Sequence, residues 1–206
     1  MNTKEFKKKY LSYYLLLESD FKDTFNYVSV EKNNYITYSN IYLKLLLAIG
    51  SEIDIIKKFV AKLFVPNFDE KKDNVNEIIL KCFPEIKEIE IKARFNESLI
   101  KPWHYEKEPE WWTAYNEIKH NRLEDASKFD SSKKYYQYAN LENVILSLSA
   151  LFSLEFIAYR KLALDSNEKL FLPTVNTLFS ITNLYWKDVQ HGTGIVFIDG
   201  CLYMPD

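Results

Sequence analysis

The segment from Trp111 to Arg122 carries the side chains in this sequence that are best suited to catalysis. It reads Trp-Trp-Thr-Ala-Tyr-Asn-Glu-Ile-Lys-His-Asn-Arg, and on a helix Asn116 and His120 lie one turn apart on the same face. An imidazole titrates near neutral pH and can both accept and donate a proton. Lys119 and Arg122 can hold the charge of a phosphate, so we interpret this set as suited to RNA cleavage.

A structural interpretation of the same residues stays open. Trp112 lies one turn before Asn116, and a polar histidine beside tryptophan on one helix is often a hydrogen-bonded packing residue. On residue types and spacing alone, this packing role is the more common one. Arg122 follows His120 by two positions, which is about 200° around a helix, so within one subunit we expect it to point away from His120. Lys119 is nearer to the His120 face.

A proline-bounded connection from residue 101 to residue 109 supplies a second set of aromatic and polar side chains. Trp103, His104 and Tyr105 are consecutive there, and Trp112 follows shortly after the connection. Aromatic rings in such a group can form a stacking platform for a nucleic-acid base. A packed loop explains the same residues and is the commoner arrangement.

Glycine is scarce in this sequence. Only four glycines occur among 206 residues, at positions 50, 192, 194 and 200. Phosphate-binding loops and dinucleotide fingerprints need glycine where the backbone turns tightly, so the composition excludes nucleotide-binding α/β folds and predicts a mainly helical protein. Cys82 and Cys201 have no Cys or His partners at ligand spacing, so we expect no zinc site, no disulfide framework and no cofactor.

The charges of the chain nearly cancel, since 27 Lys and Arg face 29 Asp and Glu, a net charge of −2. This balance gives no global attraction to nucleic acid or to an anionic membrane. The apolar runs at 43–49 and 144–158 are interrupted by charges and fall short of the roughly 20 residues that a membrane span needs. The lysine-rich start is followed by tyrosine-rich sequence with no clean apolar core and no small-residue cleavage site, so we expect no signal peptide. We therefore expect a cytoplasmic protein that does not enter a membrane.

Apolar residues at three- and four-residue steps predict the helices that must position these side chains. An aromatic stripe from Phe6 to Phe25 predicts the first helix. Ser39 is a predicted N-cap for a second helix over 39–64, which Pro66 ends. Because the start of this helix is apolar nearly all round, we expect it to be central in the core.

The later part of the chain predicts further helices and one hairpin. Residues 75–83 and 86–91 show short helical patterns, a helix begins near Glu110, and Asn140 caps a long helix over 140–164. After Pro173 the pattern favours a short helix.

Residues 195–204 have β-forming runs around Asp199-Gly200, which predict a type I′ hairpin. His191-Gly-Thr-Gly194 reads as a bend before this hairpin, since no strand precedes it and no helix follows. We expect one helical domain over 1–190, with the hairpin over 191–206 packed on it.

The order of the predicted helices and the Asn116 to His120 spacing resemble the HEPN superfamily, small helical-bundle proteins found among bacterial toxins, defence proteins and nucleotide-handling partners. The family motif is commonly Arg-Asn-x-x-x-His near the start of a late helix. Asn116 and His120 match its Asn and His, whereas Tyr115 stands where the family has Arg. The resemblance covers about residues 1 to 165 and implies an all-α, antiparallel helical bundle.

The resemblance also implies a homodimer in which the motif Arg and His of two subunits meet and cleave RNA without a metal ion. His120 is then the general acid or base, and Asn116 positions it or the phosphate. With Tyr115 in place of the motif Arg, the cation comes from Lys119 or from the partner subunit's Arg122. An ammonium lacks the bidentate fork of a guanidinium and should stabilise the transition state less well. The residues expected to contact the substrate are Tyr115, Trp112, Trp103 and His104.

A second likeness to HEPN-like proteins is the acidic, apolar-flanked stretch over 47–57 on the predicted second helix. The resemblance implies that Glu52 or Asp54 orients His120. In the alternative interpretation, Glu52 and Asp54 lie on the solvated side of an amphipathic helix and pair with a lysine one turn later.

Two functions of different class follow from these patterns. The first is a metal-independent ribonuclease or RNA-binding protein of a bacterial toxin or defence system, with an antitoxin or another protein as partner. The second is a catalytically inactive HEPN-like module that acts through dimer or partner contacts. The absent motif Arg favours the second, whereas the Asn-His pair and its adjacent cations favour the first. A homodimer is expected for both, because an aromatic content of 16% is more than one small bundle readily buries.

Overall fold

The computed structural model describes residues 1–106, 108–167 and 177–182 in full, and two further strands at 196–198 and 201–203 by their backbone. Helical backbone begins with α1 (Thr3–Phe6), continues through a π-helical segment (Lys7–Leu11) and enters α2 (Ser12–Asp23). The other helices are α3 (Asn40–Phe64), α4 (Val75–Cys82), α5 (Glu110–Asn121) and α6 (Leu141–Asp165). These bounds confirm four predicted helices: the aromatic first helix, the second helix over 39–64, the helix that begins near Glu110 and the long helix capped by Asn140.

Two side-chain caps fix where the longest helices begin. The Ser39 hydroxyl accepts a hydrogen bond from the Tyr42 N–H at 3.2 Å, and the Asn140 carboxamide oxygen accepts one from the Asn143 N–H at 2.9 Å. Each cap satisfies a backbone donor that has no partner within its helix. Both N-caps are therefore confirmed at the residues that the sequence predicts.

The two central helices, α3 and α6, run parallel to each other. Their N-termini are neighbours, because the Leu141 N–H donates to the Thr37 carbonyl at 3.0 Å and Tyr38 bridges to Asn140. The expected all-antiparallel bundle is therefore wrong for this pair. Periodicity shows which face of a helix is buried but not its direction, and the connection between α3 and α6 is long enough to return the chain to the same end.

The outer helices run antiparallel to α3, as expected. The Phe6 ring stacks on Phe59 with centroids 5.7 Å apart, while Asp20, near the end of α2, pairs with Lys44 near the start of α3. Helix α5 also runs antiparallel to α3, because Trp112 near its start lies on Lys57, whereas Tyr115, one turn later, lies on Gly50. This arrangement places the end of α5 beside the first half of α3.

The described residues also form short antiparallel strands. They are β1 (Ile91–Ala93), β2 (Leu99–Ile100), β3 (Asp125–Ala126), β4 (Asp130–Lys134), β5 (Phe179–Ile181), β6 (Val196–Ile198) and β7 (Cys201–Tyr203). Strand β1 lies between β2 and β5, and the other four form two separate pairs. The fold is therefore mainly helical, as expected, and it has small antiparallel sheets in addition to the predicted C-terminal hairpin.

Two predicted helical patterns give way to strands. Residues 86–91 lie in a 3₁₀ segment (Pro84–Glu88) followed by β1, in which Ile91 and Ala93 are buried on either side of half-buried Lys92. Strand β5 replaces the middle of the helix expected after Pro173, and the rest of that expected helix lies outside the described residues. Strands of three residues are too short to show an alternating pattern in a sequence.

The paired strands of the C-terminal hairpin are confirmed. Val196 pairs with Tyr203 and Ile198 with Cys201 in antiparallel register. The expected turn at Asp199-Gly200 and the bend at 191–194 lie outside the described residues.

Helix α6 is the most buried helix of the described structure. By length and composition it is apolar enough to cross a membrane, but 83% of its most apolar window is buried inside the protein. Burial of this kind is typical of the core helix of a globular domain.

Glu155 is an acidic side chain in the middle of this core. The residue is 2% exposed, and neither carboxyl oxygen has a hydrogen-bond partner among the described residues. Burial, followed by the nearby charge of Glu52, raises the pKa of Glu155 well above its usual value. Burial also raises the pKa of Glu52. The core therefore favours the protonated form of Glu155.

We predict that the free energy of unfolding falls as the pH rises above the ordinary glutamate value of about 4.3, since the unfolded chain releases the Glu155 proton before the folded one does. The loss is at most about 1.4 kcal/mol per pH unit and ends at the raised pKa of the folded state. Glu155→Gln should flatten this part of the profile, as measured by urea unfolding between pH 5 and 9. Glu142→Gln, at an exposed position of α6, is the control and should leave the slope unchanged. An equal slope in wild type and Glu155→Gln would contradict the prediction.

Candidate functional site

A cleft of about 520 Å³ lies at the C-terminal end of α5. Its wall is formed by residues 118–124 and by Leu47 of α3. Lys119, His120 and Arg122 are all exposed and all line it, so an imidazole, an ammonium and a guanidinium border one space. Three of the four predicted catalytic residues therefore lie together.

Arg122 lines the same cleft as His120, although the helical spacing places the two residues on different sides of α5. Helix α5 ends at Asn121, and Arg122 is its C-cap residue. The cleft surrounds the end of the helix rather than one of its sides, so residues from opposite sides of the last turn line the same space. Within one subunit, Arg122 therefore borders the same space as His120 and Lys119.

Asn116 is half-buried one turn before His120 and does not belong to the wall of the cleft. The Asn116 to His120 spacing on α5 is as predicted. Asn116 therefore lies on the same helix face as His120 but outside the space in which a phosphate would bind.

Glu117, the acidic residue next to the cleft, has its negative charge neutralised by neighbouring groups. Glu117 accepts hydrogen bonds from the Lys128 ammonium at 2.5 Å and from the Asn121 carboxamide at 2.8 Å. These bonds, with that of Lys128 first, lower the pKa of Glu117. Glu124 remains as the acidic residue of the wall, against the cations Lys119 and Arg122 and the imidazole of His120.

Tyr115 belongs to the contact between α5 and α3 instead of to the cleft. The residue is 1% exposed, and its ring lies directly on Gly50. Its hydroxyl donates to Asp54 Oδ2 at 3.2 Å. Burial, followed by the Asp54 carboxylate, raises the pKa of Tyr115 to about 12. The expected contact of Tyr115 with substrate is corrected, because its ring has no exposed face.

Asp54 is connected to the cleft by hydrogen bonds through Tyr115. The Lys119 ammonium donates to the Tyr115 hydroxyl at 3.4 Å and lies 5.4 Å from the centre of its ring. Asp54, Tyr115 and Lys119 therefore form one chain of polar contacts that holds Lys119 at the edge of the cleft. Glu52 is buried towards α6 and Glu155. The two acids expected to orient His120 thus have other partners.

The aromatic connection is packed, as the commoner interpretation predicts. Trp103 and Trp112 are 3% and 8% exposed, and the Trp103 indole N–H donates to the Ser153 hydroxyl at 2.7 Å. His104 is exposed. The expectation that a base stacks on Trp103 or Trp112 is wrong, because both ring systems are covered by protein.

Lys57 is a further polar residue whose importance the sequence does not reveal. It is 4% exposed, and its ammonium lies 3.8 Å from the centre of the Trp112 ring. On a helix that reads as amphipathic, a lysine at this position is expected to be solvated. The sequence signal that could have indicated this arrangement is the pair of tryptophans, since aromatic faces bind cations.

Comparison of the chain with family models, curated proteins and solved structures gives no match to any of them. Among the described residues, no three His, Cys, Asp or Glu side chains lie close enough to hold a metal ion. The geometry of the cleft is therefore the basis on which a function is proposed below.

We predict that Gly50→Ala lowers the free energy of unfolding by about 1–3 kcal/mol, a typical cost of overpacking a core. A Cβ at Gly50 would overlap Tyr115 Cδ2 and lie 2.5 Å from its Cε2 and Cγ. Helix propensity alone predicts the opposite sign, since Ala is favoured over Gly by about 1 kcal/mol in a helix. Urea unfolding followed by circular dichroism measures the difference.

The control for this prediction is Ser51→Ala at the next, exposed position of α3, which should be neutral or slightly stabilising. Adding Tyr115→Ala should remove most of the extra cost of Gly50→Ala, because the overlapping ring is then absent. A Gly50→Ala protein as stable as wild type would show that the two helices are not in close contact.

Proposed function

We propose that this chain is a HEPN-like protein that binds single-stranded RNA in the cleft around His120 and cleaves it without a metal ion. The observation that carries the proposal is the shared lining of one cleft by His120, Lys119 and Arg122. An exposed imidazole can move a proton at a bound ribose, and two cations can hold the adjacent phosphate. The resemblance in the Asn116 to His120 spacing supports the same reaction.

In the proposed reaction, His120 takes the proton from a ribose 2′-hydroxyl or returns one to the leaving 5′-oxygen. The 2′-oxygen attacks the neighbouring phosphorus, and the bond from phosphorus to the 5′-oxygen breaks. Lys119 and Arg122 offset the negative charge that develops on the phosphoryl oxygens. Tyr115 and Asp54 are positioning residues, because they hold Lys119 without contacting the RNA.

We also propose that the chain forms a homodimer through the surface beside the cleft. Leu123, Tyr38 and Ile41 are 70%, 45% and 42% exposed. Tyr38 packs edge-on against Tyr136, whose N–H donates to the Arg122 carbonyl, so part of this apolar surface is continuous with the cleft. A two-fold pair of such surfaces would bury these side chains. The same surface would serve a protein partner, such as an antitoxin, in a cytoplasmic toxin or defence system.

A second candidate function is a catalytically inactive module that acts through such contacts. It is favoured by Tyr115, which occupies the position of the motif Arg and is buried. Cations are also stabilised at the C-terminal end of a helix by its dipole, so Lys119, His120 and Arg122 have a structural role without any ligand.

We predict that wild-type protein cleaves a mixed-sequence single-stranded RNA pool in the presence of a chelator, and that His120→Ala lowers the rate by about 10²–10⁴-fold, the usual value of positioned proton transfer. His104→Ala is the matched control, since His104 is also exposed but lies outside the cleft. Cleavage is followed by gel electrophoresis of end-labelled RNA.

Cleavage that survives His120→Ala unchanged would contradict the site assignment. A wild-type protein that is silent on RNA but dimeric by light scattering would favour the second candidate. Tyr115→Arg restores the family motif but is a poor test, because the guanidinium would be placed against Gly50 in the core.

A further inference from the structure

Positive charge is concentrated in the first twelve residues of the chain. They contain four lysines and one glutamate, although the whole chain has a net charge of −2, so the remainder of the chain is acidic. Lys4, Lys8 and Lys9 are exposed, and so is Lys62 in the last turn of α3. Among the described residues, no carboxylate forms an ion pair with any of these four lysines. Together the four side chains are named the basic surface.

Aromatic stacking holds the N-terminal segment on the second half of α3. The Phe6 and Tyr10 rings stack on Phe59 with centroids 5.7 and 5.0 Å apart. Because the segment runs antiparallel to α3, the residues before Phe6 lie towards the end of α3, where Lys62 is. The four lysines of the basic surface therefore lie at the same end of the helical fold.

The backbone around Lys8 and Lys9 has an uncommon conformation. Both residues lie in the π-helical segment Lys7–Leu11. Such segments are rare and occur frequently at functional sites. The Lys7 ammonium lies 5.0 Å from the centre of the Tyr159 ring, which attaches the segment to α6. Lys8 and Lys9 have no such partner and are exposed to solvent.

An exposed face of α3 connects the basic surface with the His120 cleft. The face consists of exposed residues at steps of three and four, namely Ser51, Ile55, Lys58 and Lys62. At its other end, Leu47 lines the cleft. From Leu47 to Lys62 the path along the helix is ~22 Å, at 1.5 Å per residue. Helix α5 packs on the Gly50 side of α3 and the N-terminal segment on the Phe59 side, so neither covers this face.

We propose that the basic surface binds the phosphate backbone of single-stranded RNA whose scissile nucleotide lies in the His120 cleft. This inference rests on the proposed function of the cleft and adds a second binding region to it. The cleft has only two permanent cations, Lys119 and Arg122, and Glu124 opposes them. A strand that runs along α3 from the cleft to the basic surface gains further phosphate contacts, which add affinity without sequence preference.

The side chains around these lysines favour a nucleic acid over an anionic membrane. Peripheral membrane helices bury large apolar side chains in the lipid in addition to their electrostatic attraction. In residues 2–12, Phe6 and Leu11 are buried in the protein and Tyr10 is half-buried. The segment therefore presents charge to a partner but no large apolar side chain, which suits a phosphate backbone.

The test is the salt dependence of RNA binding by the full chain, followed by fluorescence anisotropy. The labelled probe is a mixed-sequence single strand that is longer than the ~22 Å path along α3. Its riboses are 2′-O-methylated, so it can bind but lacks the nucleophile of the proposed cleavage. Each phosphate contact on a single strand contributes about 0.7 to the slope of log affinity against log salt concentration.

We expect the Lys8→Gln/Lys9→Gln protein to lose about 1.4 of this slope, and the Lys62→Gln protein about 0.7. The matched control is Lys22→Gln/Lys32→Gln, which removes two exposed lysines near the start of α3 instead of its end. It changes the net charge equally and should keep the wild-type slope. Circular dichroism verifies the fold of each variant.

Three results would overturn the basic surface as an RNA-binding region. The first is a wild-type chain that does not bind the probe. The second is an equal loss of slope in both double variants, which would be an effect of net charge alone. The third is binding to phosphatidylserine vesicles that depends on Lys8 and Lys9, without binding to RNA.

The outcome is distinguishable from that of the cleavage assay, because the probe cannot be cut. A chain that binds the probe with the expected slopes but leaves unmodified RNA intact would contradict the proposed cleavage alone. A chain that cleaves RNA but keeps the wild-type slope in the Lys8→Gln/Lys9→Gln protein would contradict the basic surface alone.

Discussion

The close contact between α3 and α5 is the constraint on which the rest of the candidate site depends. Gly50 has no side chain, and the Tyr115 ring occupies the space where a Cβ would lie. Glycine is a poor helix former, so its presence in the middle of the central helix costs about 1 kcal/mol that close packing has to offset. This contact sets how closely α5 approaches α3, and the His120 cleft lies at the C-terminal end of α5.

The same interface carries two polar arrangements along its length. Towards the end of α5, Asp54 and Tyr115 hold Lys119 at the edge of the cleft. Towards its start, Lys57 lies on the Trp112 ring. The α3 and α5 pair thus carries the imidazole and cations of the proposed ribonuclease site at one end and a buried ammonium on an aromatic face at the other. Because these groups lie on a rigid interface, their positions are better fixed than side chains on loops would be.

The helices of this fold are predictable because their signals are local. Ser39 and Asn140 are caps that act over three residues, and the stripes that follow them are long and regular. The parallel α3 and α6 pair and the strand at 91–93 are not predictable in this way. The direction of a helix and the partner of a three-residue strand depend on contacts far along the chain.

The sequence predicts only part of the candidate site, because some of its features are local and others depend on contacts far along the chain. His120, Lys119 and Asn116 lie on α5 as the helical spacing requires. Tyr115 is expected to contact substrate because it replaces a motif residue, but in the structure its ring contacts Gly50, 65 positions earlier in the chain. The single glycine within a long predicted helix was the signal that could have indicated this contact, since glycine there permits another element to come close.

In the proposed active site, the cleft of a single subunit contains both the imidazole and the guanidinium. The most direct measurement is RNA cleavage by His120→Ala and Arg122→Gln proteins, alone and coexpressed as mixed dimers. Because His120 and Arg122 line the same cleft, we predict that wild type is active and that the mixed dimers are as inactive as either variant. Activity of the mixture at about a quarter of wild type would contradict the account, since that is the share expected when each site takes His120 from one subunit and Arg122 from the other.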